Sequence, residues 1–284
     1  MKKILLIALA VLPVLFACSK SNTNNNEKPS DLTLPKWAEH AAKVVLKADD
    51  PATVTTSYGV QAVVSEIDFM RSGRYVAKAE TETKATVTVF LYGTYDFANG
   101  AYALHGDLET TVSTSGNNVT VAGETHEGTV TSTTVTAGTT EDKLCRTWKL
   151  GYMILKDFDK LGSAGIRVTS VSGLVSTLKG KGVNFDSKVE ERVLQHEIDE
   201  ISLGTDMILV TFSKADPFVG TWKLNGGTSF SYDFKGTMNG DVLSANASGT
   251  LEFSEKNVTI TMNITSNNKD LGKGTAILNL VEKQ

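Results

Sequence analysis

Cysteine, tryptophan, histidine and proline are all scarce in this chain of 284 residues, with two, three, four and five copies. Two cysteines, Cys18 and Cys145, cannot supply the thiolates of a cysteine-rich zinc site and allow at most one disulfide. The histidines, His40, His105, His126 and His196, are scattered, with no His-x₃-His pair and no carboxylate cluster at ligand spacing. An excess of positive charge is missing too. Lysine and arginine number 28 against 32 acidic residues, and no basic block stands out, so a nucleic-acid footprint is absent. The longest apolar run, Ile4 to Phe16, has 13 residues, short of the ~20 that a spanning helix needs.

That short run has a specific setting. Lys2 and Lys3 precede it, Pro13 interrupts it late, and it ends in Leu15-Phe16-Ala17-Cys18. A charged start, a short apolar stretch and a small residue before the cut are the parts of an export signal. The tetrapeptide resembles the lipobox of bacterial lipoproteins. The resemblance implies cleavage after Ala17, a diacylglyceryl thioether and further acyl (palmitate-type) lipid on Cys18, and a place in the bacterial cell envelope. Ser19 after the cysteine resembles the pattern that directs such proteins to the outer membrane. More than one acyl chain anchors firmly, where a single chain binds only marginally. Ser19 to Ser30 holds nothing apolar beyond Pro29, so it is expected to be a disordered tether. With Cys18 lipidated, Cys145 is the only thiol left and reads as a small buried residue near a strand start.

Strand patterns dominate the rest. Val258, Ile260, Met262 and Ile264 alternate with Thr259, Thr261 and Asn263; Val87, Val89 and Leu91 are interleaved with Thr86, Thr88 and Phe90, and Ala276, Leu278 and Leu280 repeat the period of two. Threonine suits a pleated, half-exposed surface. Turn signals recur at Ser72-Gly73, Asn99-Gly100, Asn117-Asn118, Gly226-Gly227 and Asn239-Gly240, and imply antiparallel hairpins. Three helices are expected: Pro35 to Ala48, Val171 to Lys179, and a short one capped by Asp186 that runs to about Gln195. The fold class is therefore all-β with a few short helices, in two antiparallel β units.

A tetrad recurs in both units: Thr94-Tyr95-Asp96-Phe97, Thr147-Trp148-Lys149-Leu150 and Thr221-Trp222-Lys223-Leu224. Gly220-Thr221-Trp222 resembles the Gly-x-Trp strand signature of lipocalin-like proteins. Together with Cys145-Arg146-Thr147-Trp148-Lys149, it is similar to bacterial lipocalin-like lipoproteins of unknown function. The likeness implies that the second unit is a lipocalin-like irregular barrel or sandwich. The expected organisation is a signal peptide over 1–17, a lipidated tether over 18–33, an N-terminal helix plus β unit over 34–140, and the lipocalin-like unit over 141–284.

Little chemistry is legible. Asp157 to Gly162 imitates the start of a calcium loop but has Leu161 and Val168 where ligands belong. Gly272-Lys273-Gly274-Thr275 lacks the upstream glycine of a phosphate loop. There is no Gly-x-Ser-x-Gly elbow. His126, between Glu124 and Glu127, reads as a solvated turn, and Glu66, Asp68, Asp199 and Glu200 read as solvent-facing strand acids. No catalytic residue, metal ligand or cofactor is assigned. The expected function is a non-catalytic envelope lipoprotein, held to the membrane through diacylglyceryl-Cys18. It would bind a small glycan or lipid through aromatics such as Tyr95, Trp148 and Trp222, or act as an accessory module. A structural or protein-partner component of an envelope assembly is the alternative, and a hydrolase the remote one.

Overall fold

The computed structural model describes residues 40–81, 88–133, 135–136, 138–215, 217–224, 228–238, 241–254, 256–265 and 270–283. Ala17, Cys18 and the tether lie outside the described residues. Two antiparallel β units account for almost all of the described chain, one built of residues 33–146 with 203–207 and the other of 147–202 with 208–284.

The first unit runs β1 (Ala42–Leu46), β2 (Ala52–Thr55), β3 (Gln61–Phe69), β4 (Arg74–Thr81), β5 (Thr88–Ala98), β6 (Ala101–Gly106), β7 (Thr110–Ser115), β8 (Asn118–Val121) and β9 (Glu124–Ser132). Strands β3 to β9 pair in chain order, and β1 bridges β9 and β3, which closes an eight-strand barrel. Closure removes the open sheet edges that would invite mispairing. Strand β2 pairs with residues 61–64 of β3, on the edge that β1 occupies at 66–69, and its Ala52 and Val54 belong to the core. Of the hairpin cues, Ser72-Gly73 and Asn99-Gly100 fall in turns, and Gly226-Gly227 and Asn239-Gly240 lie outside the described residues. Asn99 (φ 54°) and Gly100 (φ 79°) form a two-residue turn with both φ positive between β5 and β6.

The expected helix over Pro35 to Ala48 is replaced, within the described residues, by a strand. Ala42, Val44 and Leu46 are buried while Lys43 and Val45 face outward. That period of two, with β-branched Val44-Val45 at its centre, outweighs the helical spacing once β3 and β9 offer backbone partners on both sides.

The barrel interior is aromatic at one end. Phe69 stacks on Tyr102 at 3.8 Å between ring centres, Tyr95 meets both rings edge-on, and Phe97 joins Tyr102 to His40. Each fully buried ring of this kind contributes on the order of 1.5–3 kcal/mol. Aliphatics such as Ile67, Leu91, Leu104 and Val119 complete the core.

Helix α1 (Thr140–Leu144) ends the first unit, capped by Thr139, whose hydroxyl accepts from Asp142 N. The second unit contains β10 (Thr147–Lys156), β11 (Ile166–Val168), α2 (Val171–Gly180), α3 (Ser187–Gln195), β12 (Ile198–Leu203), β13 (Met207–Phe212), β14 (Phe218–Leu224), β15 (Ser229–Met238), β16 (Asp241–Ser254), β17 (Asn257–Thr265) and β18 (Lys273–Glu282). Its sheet curls until β18 pairs with β10 over eight residues of register. Both expected helices are present, and Asp186 caps α3 by accepting from Lys188 N. The glycine-rich Gly272 to Thr275 stretch opens β18, and Gly274 is small because the Phe158 ring covers it: a β-carbon there would lie 2.4 Å from the ring.

Candidate functional site

Tyr95, the first expected ligand contact, is a core residue. It is 2% exposed, and its hydroxyl donates to the Met70 carbonyl at 2.8 Å. Its position on β5 decides this, because the inward face of a closed barrel alternates Leu91, Gly93 and Tyr95. Trp148 on β10 is 3% exposed, registered with Ile201 and Glu282. Trp222 sits on β14 opposite Tyr232 of β15, and its side chain lies outside what is described. Tyr95 and Trp222 occupy different units, and nothing described brings the three rings together.

The polar groups that the fold does gather lie around the β3–β4 turn of the first unit. Arg71, in that turn, donates from Nη2 to Asp142 Oδ1 of α1 at 2.9 Å, with side chains 10% and 15% exposed. The other Asp142 oxygen accepts from Gly138 N at 2.8 Å. Burial opposes ionisation of Asp142, but the Gly138 N–H, Arg71 and Arg146 outweigh it and hold its pKa below the ordinary carboxylate value. The Arg71 Nη1 and Ser72 Oγ atoms are buried without a protein partner. Cys145 follows α1, fully buried, and its thiol donates to Gly204 O at 3.2 Å. Burial pushes that thiol up to about 12, so it is a packed residue and not a nucleophile.

A second polar group lines the β1–β3 seam. Lys43 Nζ lies 2.8 Å from Glu66 Oε1 and 3.7 Å from Asp68 Oδ2. Asp68, expected to face solvent, is only 5% exposed; Glu200, expected likewise, is also buried, and it pairs with Lys283 in the second unit. Outward orientation on a strand leads to water only if nothing covers that face.

His126 corrects another expectation. It is not in a solvated turn but on β9, facing inward and 8% exposed. Its Nδ1 pairs with Asp50 Oδ1 at 3.0 Å, the other Asp50 oxygen accepts from Glu127 N at 2.8 Å, and Nε2 is buried without a partner. Among the described residues no three His, Cys, Asp or Glu side chains are grouped to hold a metal ion, and no helix is long and apolar enough to cross a membrane.

Sequence reasoning missed Arg71, Asp142 and Lys43. The Arg71–Asp142 pair spans 71 positions and joins a hairpin turn to a helix after the barrel, so no local pattern announces it. The only available signal was the neighbouring Ser72-Gly73, which marked the turn itself.

No family model and no curated protein matches the chain. Among solved structures, it is similar to the vaccine antigen transferrin binding protein B of Haemophilus parasuis, at 10% identity and a TM-score of 0.23 over 79% of this chain and 54% of that one. It is also similar to a protein of unknown function from the DUF3598 family of Nostoc punctiforme, at 8% identity and a TM-score of 0.23 over 86% and 94%. The chain thus spans about half the length of the transferrin binding protein. At such TM-scores these likenesses carry no argument, and the description of the fold rests on the strand pairing.

Proposed function

We propose that this chain is a lipid-anchored, non-catalytic lipoprotein of the bacterial cell envelope, most simply of the outer membrane, acting as a binding or accessory module. The carrying observation is the order Lys2-Lys3, Ile4 to Phe16, Leu15-Phe16-Ala17-Cys18 and then a polar stretch to Ser30. The lipocalin-like reading of the second unit belongs to the same proposal, with Gly220-Thr221-Trp222 on β14 as its mark. Since Tyr95 is spent on the core of the first barrel, a glycan or lipid ligand is assigned to the second unit or to the outer walls.

Membrane partitioning of the wild type and Cys18→Ala tests the anchor. The wild type should sediment with membranes and the variant should be soluble and folded; a variant that still partitions with membranes sinks the proposal. Native mass spectrometry of the soluble variant from its own host tests the module. A stoichiometric small ligand supports binding, and a co-purifying envelope protein in its place supports the structural alternative.

A further inference from the structure

Closure of the first barrel leaves two short stretches of strand edge without a backbone partner among the described residues. Strand β1 pairs on both sides, with β9 at 128–132 and with β3 at 66–69. The last bond of its seam with β9 runs from Lys47 N to Glu127 O at 2.9 Å. The chain then leaves both neighbours over 47–51 and rejoins only β3, as β2. Beyond the seam, residues 124–126 of β9 pair with β8 alone. Glu127 N is met at 2.8 Å by the Asp50 carboxylate, in place of a backbone carbonyl.

The phase of the ladder shows which groups face these edges. Thr56 N donates to Val60 O at 2.8 Å, so the Thr56 backbone faces β3. In an antiparallel ladder, hydrogen-bonded pairs alternate with non-bonded ones. Ala52 and Val54 therefore also turn their backbone groups to β3, and Thr53 and Thr55 turn theirs to the open edge. On β9, Glu127 meets Lys47 and Asp50 through its O and N, so two residues back Thr125 turns its N–H and C=O away from β8. The side chains of Thr53, Thr55 and Thr125 are exposed, while Ala52 and Val54 fix β2 to the core. The edge of β2 thus offers two donors and two acceptors at strand spacing, with no proline or lysine inside it to block pairing.

Charge decides what fits there. Asp49 and Asp50 lead directly into β2, and Glu124 and Glu127 flank Thr125. One cation stands against these four acids: Lys47, which pairs with Glu127. His126 is turned inward, with its Nδ1 held by Asp50 at 3.0 Å. Pairing β2 with the β2 of a second copy would set these acids against their own kind, and such like-charge contacts are costly. A strand that carries lysine or arginine meets the opposite field. We propose that β2 is a docking edge for an extended cationic segment of a partner protein, which adds a strand through the backbone groups of Thr53 and Thr55. The two donors and two acceptors set its register, and the acidic surroundings select its charge. The docking edge does not depend on the anchor proposed above.

Titration of the full chain in detergent with a short synthetic peptide of alternating lysine and threonine tests it, read by fluorescence anisotropy and by amide hydrogen exchange. Binding at low salt should saturate and bring new protection to residues 52–56. Thr55→Pro removes one outward donor and should weaken binding about tenfold, as one lost hydrogen bond predicts. Asp49→Lys with Glu124→Lys, both at exposed positions, should weaken it by about tenfold or more, and decides if Thr55→Pro fails to fold. Absence of saturable binding overturns the docking edge, as does equal binding of a glutamate–threonine peptide or binding that both variants leave unchanged. New protection that appears only outside 52–56 and 124–127 overturns it too. Self-association that protects 52–56 without any peptide gives the edge to a second copy and overturns the cationic partner.

Discussion

Gly93 of β5 lies so close to His105 of β6 that a β-carbon on it would stand 2.0 Å from the His105 carbonyl oxygen and 2.8 Å from the Tyr75 ring. Tyr75 uses that space to cross the barrel interior, where its hydroxyl accepts from Leu108 N at 2.8 Å. Gly93→Ala must shift backbone, not only a flexible side-chain end. It should cost on the order of 3 kcal/mol or prevent folding, read as the midpoint of urea denaturation. Gly180→Ala is the control. It ends α2 with open space around it, and should be neutral or stabilising by up to about 1 kcal/mol.

The Arg71–Asp142 pair should behave as a unit. Asp142→Ala leaves a buried guanidinium unpaired and should cost about 3 kcal/mol in chemical denaturation. Replacing both residues, as Arg71→Met with Asp142→Leu, should cost clearly less than the two single changes added together. Additive losses would show that the pair is not coupled.

Cys145 should be silent to thiol reagents. Burial raises its thiol to about 12, and it is fully enclosed, so Cys18→Ala protein at pH 8 should not react with a disulfide exchange reagent over the time in which a free thiol is consumed. Denaturant should release one equivalent. Rapid native labelling would mean that the region around α1 opens.

The phenols of the first barrel should titrate late. Burial pushes Tyr75 and Tyr95 well above the ordinary tyrosine value and raises Tyr102 as well. Ultraviolet titration of the folded chain should show these three ionising only as the fold is lost. Tyr95→Phe should reduce the number of late phenols by one and cost about 1 kcal/mol for the lost bond to Met70.

Local features were legible in the sequence because local chemistry sets them. Asn99-Gly100 takes two positive φ angles as its side chains predict, and Asp186 and Ser170 cap the two helices read from spacing. What was hidden is set by distant partners. The strand at Ala42–Leu46 exists because β3 and β9 flank it. Tyr95 points inward because the barrel closes, and closure depends on the pairing of residues 42–45 with 66–69. Asp68 is buried in a position whose neighbours along the chain give no hint of a cover. The lipocalin-like motifs sit in the second half, but a closing pair occurs in both units, β1–β3 in the first and β10–β18 in the second.

The membership of Leu203–Met207 in the first unit has a consequence for how the protein is made. A chain delivered from its N-terminus completes the strands of that barrel by Ser132, yet the carbonyl that accepts the Cys145 thiol arrives only with Gly204. Until some seventy further residues have emerged, the barrel end beside Met70 and Cys145 lacks its final segment. Truncation after Arg146 should therefore yield a barrel with a reactive thiol and a holdase-binding face, and the second half of the chain acts as the finishing step for the first.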